Sequence, residues 1–283
     1  MRVVITGDKG RLGRALHEAL SDDDVLGLDL PECDLTKPSV LAEALMPFRP
    51  EVVIHTAAMT NVDACERDPE AAFRANTLAT QNVALACAGG GATMVHISTN
   101  DVFDGTLGRP YYEWDPPAPK SVYARSKAAA ELVVRSLLQQ FYIVRTAWLY
   151  APGGSSFVTK ILAAADRPAG LRVVTDEVSS PTYAPHLAQA ITVLMRTGHF
   201  GFYHLINSGY CSRYEWACEI LRLAGRNDVP IEPITTPDWP RPAPPPLYTP
   251  LVNLAGSALG ITLPTWQAGL QAYFETMGGR GAA

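Results

Sequence analysis

Long apolar runs are missing from this 283-residue chain: none approaches the ~18 residues that a membrane-spanning helix needs. Cysteine is sparse and odd in number, five in all, and no two form a Cys-x-x-Cys pair. Scattered thiols (Cys33, Cys65, Cys87, Cys211, Cys218) in a chain of this length read as small buried hydrophobes in a reducing compartment, not as a disulfide framework. The six histidines fall into no His-x-x-x-His or His-Glu-x-x-His pattern, so no metal site is expected. Basic residues are too few and too dispersed to form a block. With 23 Lys+Arg against 28 Asp+Glu, the formal charge is −5, which excludes the electrostatic footprint of nucleic-acid binding. The chain opens on a strand pattern, Arg2-Val3-Val4-Ile5-Thr6, with no apolar signal region ahead of it. A cytoplasmic protein with neither nucleic acid nor membrane as partner is expected.

What is present is core material, with 47% hydrophobic and only 18% charged residues. Val/Ile-rich runs at Val3–Ile5, Val25–Leu28, Val52–Ile54, Thr93–Ile97 and Tyr142–Val144 alternate with segments at helical spacing, such as Ala71–Ala88 and Ser126–Leu138. Strands buried on both faces with helices between them predict an α/β fold: a doubly wound parallel sheet of Rossmann type. After Tyr150 the rhythm loosens into Gly/Pro/Ser clusters, and the proline-rich Pro237–Pro250 can be neither helix nor inner strand. Residues 1–150 are therefore expected to form the dinucleotide-binding domain. Residues 151–283 are expected to form a smaller, loop-rich substrate lobe, with about 185–207 returning to the main domain and Phe202–Ile206 joining its sheet. A last helix is expected near Thr265–Thr276, with a frayed tail from Gly278.

The first strand runs into Gly7-Asp8-Lys9-Gly10-Arg11-Leu12-Gly13, and a helix follows over Arg11–Leu20. The first glycine permits a tight turn, the second lets a pyrophosphate approach the backbone, and the third lets the helix pack closely on the strand. The amides of that helix's first turn then face the phosphates. Any tight turn favours glycine, but this one lies between strand and helix, and Asp29 ends the next strand where a ribose would lie. A carboxylate there repels a 2′-phosphate and favours NADH. Arg11 and Arg14 speak for NADPH, because a guanidinium pairs well with that phosphate. The cofactor is thus NADH or NADPH, with NADH preferred.

A second constellation combines His96-Ile97-Ser98-Thr99 at the end of the fourth strand with Tyr123-Ala124-Arg125-Ser126-Lys127 in the next helix. Spacing of four puts Tyr123 and Lys127 on one helix face, and the strand ends at the sheet edge where such folds bind ligands. Ketone reduction builds negative charge on oxygen and needs a proton. Tyr123 can donate it, Lys127 can lower the phenol's pKa and hold a ribose, and Thr99 can polarise the carbonyl.

Gly7-x-x-Gly10-x-x-Gly13 with Tyr123-x-x-x-Lys127 resembles the extended short-chain dehydrogenase/reductase superfamily. Along nearly its whole length the chain is similar to the dTDP-4-dehydrorhamnose reductase family within it. The carrying segments are His55-Thr56-Ala57-Ala58-Met59-Thr60-Asn61-Val62-Asp63, Asn76-Thr77-x-Ala79-Thr80, Ser98-Thr99-x-x-Val102-Phe103-Asp104-Gly105, Arg145-Thr146-Ala147-Trp148-Leu149-Tyr150, Ser180-Pro181-Thr182-Tyr183-Ala184 and Gly201-Phe202-Tyr203-His204-Leu205. The resemblance implies that Ala57-Ala58 runs along the cofactor's phosphate and ribose, that Asn76 braces that loop, and that Asp34-Leu35 sits by the adenine. It implies that Val62 and Trp148 line the sugar site and that Thr182-Tyr183 closes over it. Two departures stand out. The family reads Ser-Thr-Asp-Tyr-Val-Phe after the catalytic strand, whereas this chain carries Asn100-Asp101 before Val102, a carboxylate in place of an aromatic. Where the family tends to have paired arginines, Pro240–Pro246 keeps Arg241 alone.

The expected activity is NAD(P)H-dependent reduction of a 4-keto-6-deoxy sugar carried on a nucleotide, in a protein that is a monomer or a homodimer. Two alternatives stay open here. One is an epimerase or dehydratase that recycles bound NAD. The other is a dinucleotide-binding regulatory subunit, since fold alone does not fix function.

Overall fold

Buried Val and Ile residues write the first half of the chain as alternating strands and helices. The computed structural model describes residues 1–167 and 170–280. In order come β1 (Arg2–Thr6), α1 (Arg11–Ala19), β2 (Asp24–Leu28), α2 (Pro38–Phe48) and β3 (Val52–His55). Then follow α3 (Val62–Arg67), α4 (Pro69–Phe73), α5 (Ala79–Gly90), β4 (Thr93–Thr99), α6 (Val122–Leu137) and β5 (Phe141–Thr146). The second half holds β6 (Leu149–Tyr150), α7 (Phe157–Ala165), β7 (Leu171–Val174), β8 (Val178–Ser179), β9 (Thr182–Tyr183), α8 (Ala184–Leu194) and β10 (Gly201–His204). It closes with β11 (Cys211–Ser212), α9 (Arg213–Leu223), β12 (Ile231–Ile234), α10 (Ala255–Ala258) and α11 (Trp266–Arg280).

Six strands make the main sheet in the order β2-β1-β3-β4-β5-β10, every neighbouring pair parallel. The inner strands β1, β3, β4 and β5 are buried on both faces, as their Val/Ile runs require, while the edge strand β2 is partly exposed. One layer against the sheet gathers Leu12, Leu16 and Leu20 with Leu187 and Ile191 from α8; the other gathers Leu41, Val83, Cys87 and Val134. So α8 and β10 pack with the first half of the chain. The remaining late elements form a separate aromatic cluster around Tyr150, Tyr183, Trp216 and Tyr273, tied by short two-stranded pairings.

Two expectations need adjustment. The helix foreseen over Ala71–Ala88 is interrupted by a π-helical turn at Arg74–Leu78. Its cause is local: Asn76 turns inward, accepting from the Met59 amide at 2.7 Å and donating to Ser126 Oγ at 2.9 Å. The last helix runs on through Arg280, past Gly278 where fraying was expected; residues 281–283 lie outside the described residues.

The order of strand addition reverses at β1, with β2 on one side and β3 on the other, and a crevice opens at the carboxyl ends of the strands there. Gly7, at φ 74°, lies so close to the next loop that a Cβ would sit 2.7 Å from the Ala57 nitrogen. A Cβ on Gly13 would meet the Asp8 carbonyl oxygen at 2.4 Å. Both glycines are there because nothing larger fits.

One helix is pinned to the sheet by buried charge. Glu131 of α6 accepts from Ser98 Oγ at 2.5 Å and from Arg145 Nε and Nη2 at 2.9 and 2.7 Å. Arg145 is itself buried, with its guanidinium 5.0 Å from the ring centres of Phe103 and Phe202. Removing one partner of such a pair leaves the other charged and dry. Glu131→Ala is expected to cost about 3–5 kcal/mol, read by calorimetry as a fall in Tm on the order of 10 °C. A loss below about 1 kcal/mol would mean that the pair does not hold α6.

Candidate active site

A cleft of about 1560 Å³ runs along the carboxyl edge of the main sheet. It brings together Gly7, Gly10, Arg11, Leu12, Asp29, Asp34, Leu35, Ala57 and Ala58 at one end. At the other are Val62, Thr99, Asn100, Asp101, Tyr123, Lys127, Trp148 and Arg241. Of the other residues expected at the site, Gly13 and Asn76 act from behind it, Gly13 by close helix packing and Asn76 by holding Met59 through both its amide N–H and its carbonyl. Thr182 and Tyr183 require a correction, because they do not close over the cleft. Both are buried, Thr182 Oγ1 donating to the Ser180 carbonyl and Tyr183 packed among Tyr150, His186 and Tyr273. A phenol amid so much aromatic surface is core.

The nucleotide end is built from backbone. Helix α1 begins at Gly10 without any side-chain cap, so its first-turn amides stay available for an anion. Gly7 and Gly10 leave room above them: a Cβ on Gly10 would lie 2.9 Å from the Gly7 carbonyl oxygen. Asp29 accepts from the Lys9 amide at 3.0 Å and the Leu30 amide at 2.8 Å, which fixes the carboxylate at the end of β2. Arg11 and Arg14 reach across to the carbonyls of Ser155 and Gly153 instead of standing free. They fasten the loop after β6 to the nucleotide end. Uncapped amides, absent Cβ atoms and a fixed carboxylate suit the pyrophosphate and ribose of a dinucleotide.

At the other end, α6 lays three side chains against β4 at intervals of four: Tyr123, Lys127 and Glu131. Ser121 caps this helix, its Oγ accepting from the Ala124 amide at 3.1 Å. Lys127 Nζ donates to the Ile97 carbonyl at 2.7 Å and lies 3.4 Å from His96 Nε2. Burial pulls the ammonium down to about 8, against the upward pull of Glu131. The phenol of Tyr123 moves the other way. Burial pushes it above its ordinary value, the Asp101 carboxylate adds to this, and a hydrogen bond with Thr99 opposes it. The sequence led us to expect Lys127 to lower this pKa. With Nζ turned to the Ile97 carbonyl, the protein alone does not produce that effect, and the phenol is held in the protonated state a proton donor needs.

Under Lys127 the sheet carries two uncharged histidines. His55 and His96 stack at 5.5 Å, and burial with the nearby Lys127 ammonium holds both far below 6.5, His55 at about 3. Thr80 donates to the Asn76 carbonyl at 2.6 Å, which leaves its oxygen to accept from His55 Nε2 at 3.0 Å. His55 Nδ1 then accepts from Thr6 Oγ1 at 2.7 Å. Two neutral rings add no second positive charge beneath the lysine.

Asn100, and two residues not foreseen, Glu177 and Arg213, complete the sugar end. Asn100 ties the catalytic turn to later loops, donating to Thr249 Oγ1 at 2.7 Å and Ser179 Oγ at 3.3 Å. Glu177, buried, binds Arg241 Nη2 at 2.6 Å and Arg213 Nε at 3.4 Å. Arg213 lies 3.5 Å over the Trp148 ring, whose backbone is in the strained φ 43° region. A second guanidinium therefore stands beside Arg241, supplied by the start of α9. An isolated Arg within the apolar Arg213-Tyr214-Glu215-Trp216-Ala217 stretch was the only hint of it.

Comparison with known proteins bears on this geometry. A family model described as the RmlD substrate binding domain matches residues 1–278. The chain belongs to the RmlD substrate binding domain family. A dTDP-4-dehydrorhamnose reductase of Mycobacterium tuberculosis (strain CDC 1551 / Oshkosh) is 37% identical over 278 residues, 95% of this chain and 91% of that protein. The spore coat polysaccharide biosynthesis protein SpsK of Bacillus subtilis (strain 168) is 35% identical, over 97% of each chain. The crystal structure of dTDP-4-dehydrorhamnose reductase from Bacillus anthracis str. Ames in complex with NADP superimposes with a TM-score of 0.94 at 35% identity, covering 97% of this chain and 98% of that one. Family membership agrees with the cleft: a nicotinamide dinucleotide belongs at its glycine end.

The buried ammonium makes stability pH-dependent. Its folded pKa, about 8, is below its unfolded value of 10.5, so between these the native state holds fewer protons than the unfolded chain. The burial cost is fully present below pH 8 and disappears as pH rises toward 10.5. Lys127→Met is expected to raise the stability of the cofactor-free protein at pH 7 by up to about 3 kcal/mol, with the gain shrinking to nothing near pH 10.5. Urea denaturation at several pH values checks this. A pH-independent difference would contradict it.

Proposed function

We propose that this protein reduces the keto group of a nucleotide-linked 4-keto-6-deoxy sugar, in a biosynthesis of the dTDP-L-rhamnose type. The observation that carries this is the convergence of Thr99, Tyr123 and Lys127 on one end of the cleft that also holds the uncapped α1 terminus, with the Lys127 ammonium anchored on the Ile97 carbonyl. The names of its relatives as dTDP-4-dehydrorhamnose reductases support the substrate class.

Within this assignment, a bound reduced nicotinamide supplies the hydride. Thr99 and Tyr123 hold the carbonyl oxygen between two hydroxyl donors, where negative charge develops. Tyr123 gives up its proton to that oxygen. Lys127, protonated at neutral pH with a value of about 8, is the cation in reach of the cofactor's ribose at this end of the cleft. Val62 and Trp148 flank the sugar in the cleft wall, and the guanidiniums of Arg241 and Arg213 face the nucleotide-bearing end. Residues 151–283 serve as the substrate lobe apart from the returning α8 and β10. NADH is the preferred reductant in this reading, because a carboxylate fixed at the end of β2 would repel an additional phosphate on the ribose.

An epimerase or dehydratase that recycles its cofactor is less well supported, since next to Thr99 only Asp101 offers a carboxylate. A regulatory subunit would have no use for a buried ammonium beneath a phenol. The five cysteines are free thiols, four of them buried, which suits the cytoplasm. Exposed Phe73, Leu78, Leu85 and Leu132 on neighbouring helices suit a homodimer, so sedimentation should give twice the 30.5 kDa chain mass.

The test follows reduced-cofactor absorbance with nucleotide-linked 4-keto sugars. Tyr123→Phe is expected to lower kcat by about 10²–10⁴ while cofactor affinity stays within about threefold. Asp29→Ala should shift kcat/KM toward NADPH. Full activity of the phenylalanine variant would reject the assignment.

A further inference from the structure

Next to the reacting atoms this cleft carries charge where the family pattern carries an aromatic. Asp101 directly follows the catalytic turn's first residue, and its amide donates to Thr99 Oγ1 at 3.1 Å. Its carboxylate is therefore on the residue whose backbone touches the carbonyl-binding hydroxyl. It lines the same cleft as Tyr123. Two guanidiniums, Arg213 and Arg241, line the same cleft as Asp101, both paired with Glu177.

The guanidiniums are held and do not swing freely. Arg213 lies flat over Trp148 at 3.5 Å, is 4.9 Å from the Phe157 ring centre, and binds Glu177 through Nε. Arg241 takes the other oxygen of Glu177. Among the described residues, neither guanidinium comes within ion-pair distance of Asp101; both are paired with Glu177 instead. An acceptor-only group and a donor-only group thus line one open cleft without touching each other. A hydroxyl completes that arrangement, donating to the carboxylate and accepting from the guanidinium. With the carbonyl oxygen held by Thr99 and Tyr123, the hydroxyl in reach of Asp101 is on the carbon beside the keto group.

We infer that Asp101 and Arg213 are a specificity-determining pair that selects keto sugars bearing a free hydroxyl next to the carbonyl over sugars deoxygenated there. Glu177 is the positioning residue that keeps Arg213 opposite Asp101. This rests on the reductase assignment above and adds the substrate feature the site reads. A sugar without the hydroxyl leaves the Asp101 carboxylate desolvated with no donor to meet it, which is how a polar site rejects a smaller analogue.

The experiment compares kcat/KM for two nucleotide-linked 4-keto-6-deoxy sugars that differ only in the 3-hydroxyl. The wild type is expected to favour the hydroxylated sugar by about 10²–10⁴. Asp101→Ala should lower kcat/KM for that sugar by about 10–100-fold more than for the deoxygenated one, so the preference collapses. Asp101→Tyr, which restores the family's aromatic, should collapse it too. Should Asp101→Ala fold poorly, the isosteric Asp101→Asn gives the same comparison, and Arg213→Met tests the opposite wall. Equal reduction of both sugars by the wild type, or an equal loss on both in the variants, overturns the inference while leaving the reductase assignment intact. If the wild type reduces neither sugar with either cofactor, the assignment itself falls and the inference with it.

Discussion

Everything at the active end depends on how α6 is fastened to β4. Three side chains at intervals of four meet the strand: the Tyr123 phenol at Thr99, the Lys127 ammonium at the Ile97 carbonyl, and Glu131 at Ser98 and Arg145. Two of the three are buried charges, and each is satisfied by a specific partner, as a dry environment requires. Were the helix to slide or turn, both charges would lose those partners. The phenol is held beside the threonine because the two groups behind it cannot move.

The cleft follows from sheet topology more than from the late lobe. At the reversal between β1 and β3, the Gly7 turn and the Ala57 loop come closer than a Cβ allows, and the uncapped start of α1 faces the same crevice. Fold and chemistry pull against each other at Lys127, where burial lowers the ammonium's pKa and makes it costly to the folded state at neutral pH. Such a cost is common at sites selected for function. Neutral histidines below it keep that cost from rising further.

Much of this was legible in the residues. The five early strands and the last main-sheet strand were visible as short Val/Ile or aromatic runs between turn residues, because parallel strands buried on both faces leave an unbroken apolar signature. The glycine loop, Asp29, Thr99, Tyr123 and Lys127 stood out in the sequence because each has a spacing set by its neighbour, and the fold gathers them along one cleft. What escaped depends on long-range contact. Arg213 and Glu177 are 36 positions apart and far from the catalytic segments in sequence, so no local spacing joins them. The π-helical turn at Arg74–Leu78 arises from a bond between Asn76 and a loop that precedes it by 17 residues. Thr182-Tyr183 misled for the opposite reason: a local motif resembled a site segment, while aromatic packing from Tyr150 and Tyr273 had already claimed the ring.

The central claim is that a hydride passes in this cleft to a sugar carbonyl while the Tyr123 phenol supplies the proton. Following a deuterium label from the transferring position of the reduced nicotinamide tests it most directly. The account predicts that the label appears on the former keto carbon of the product sugar, in proportion to cofactor oxidised. Retention of the label on the cofactor, or its appearance at any other sugar carbon, would contradict it.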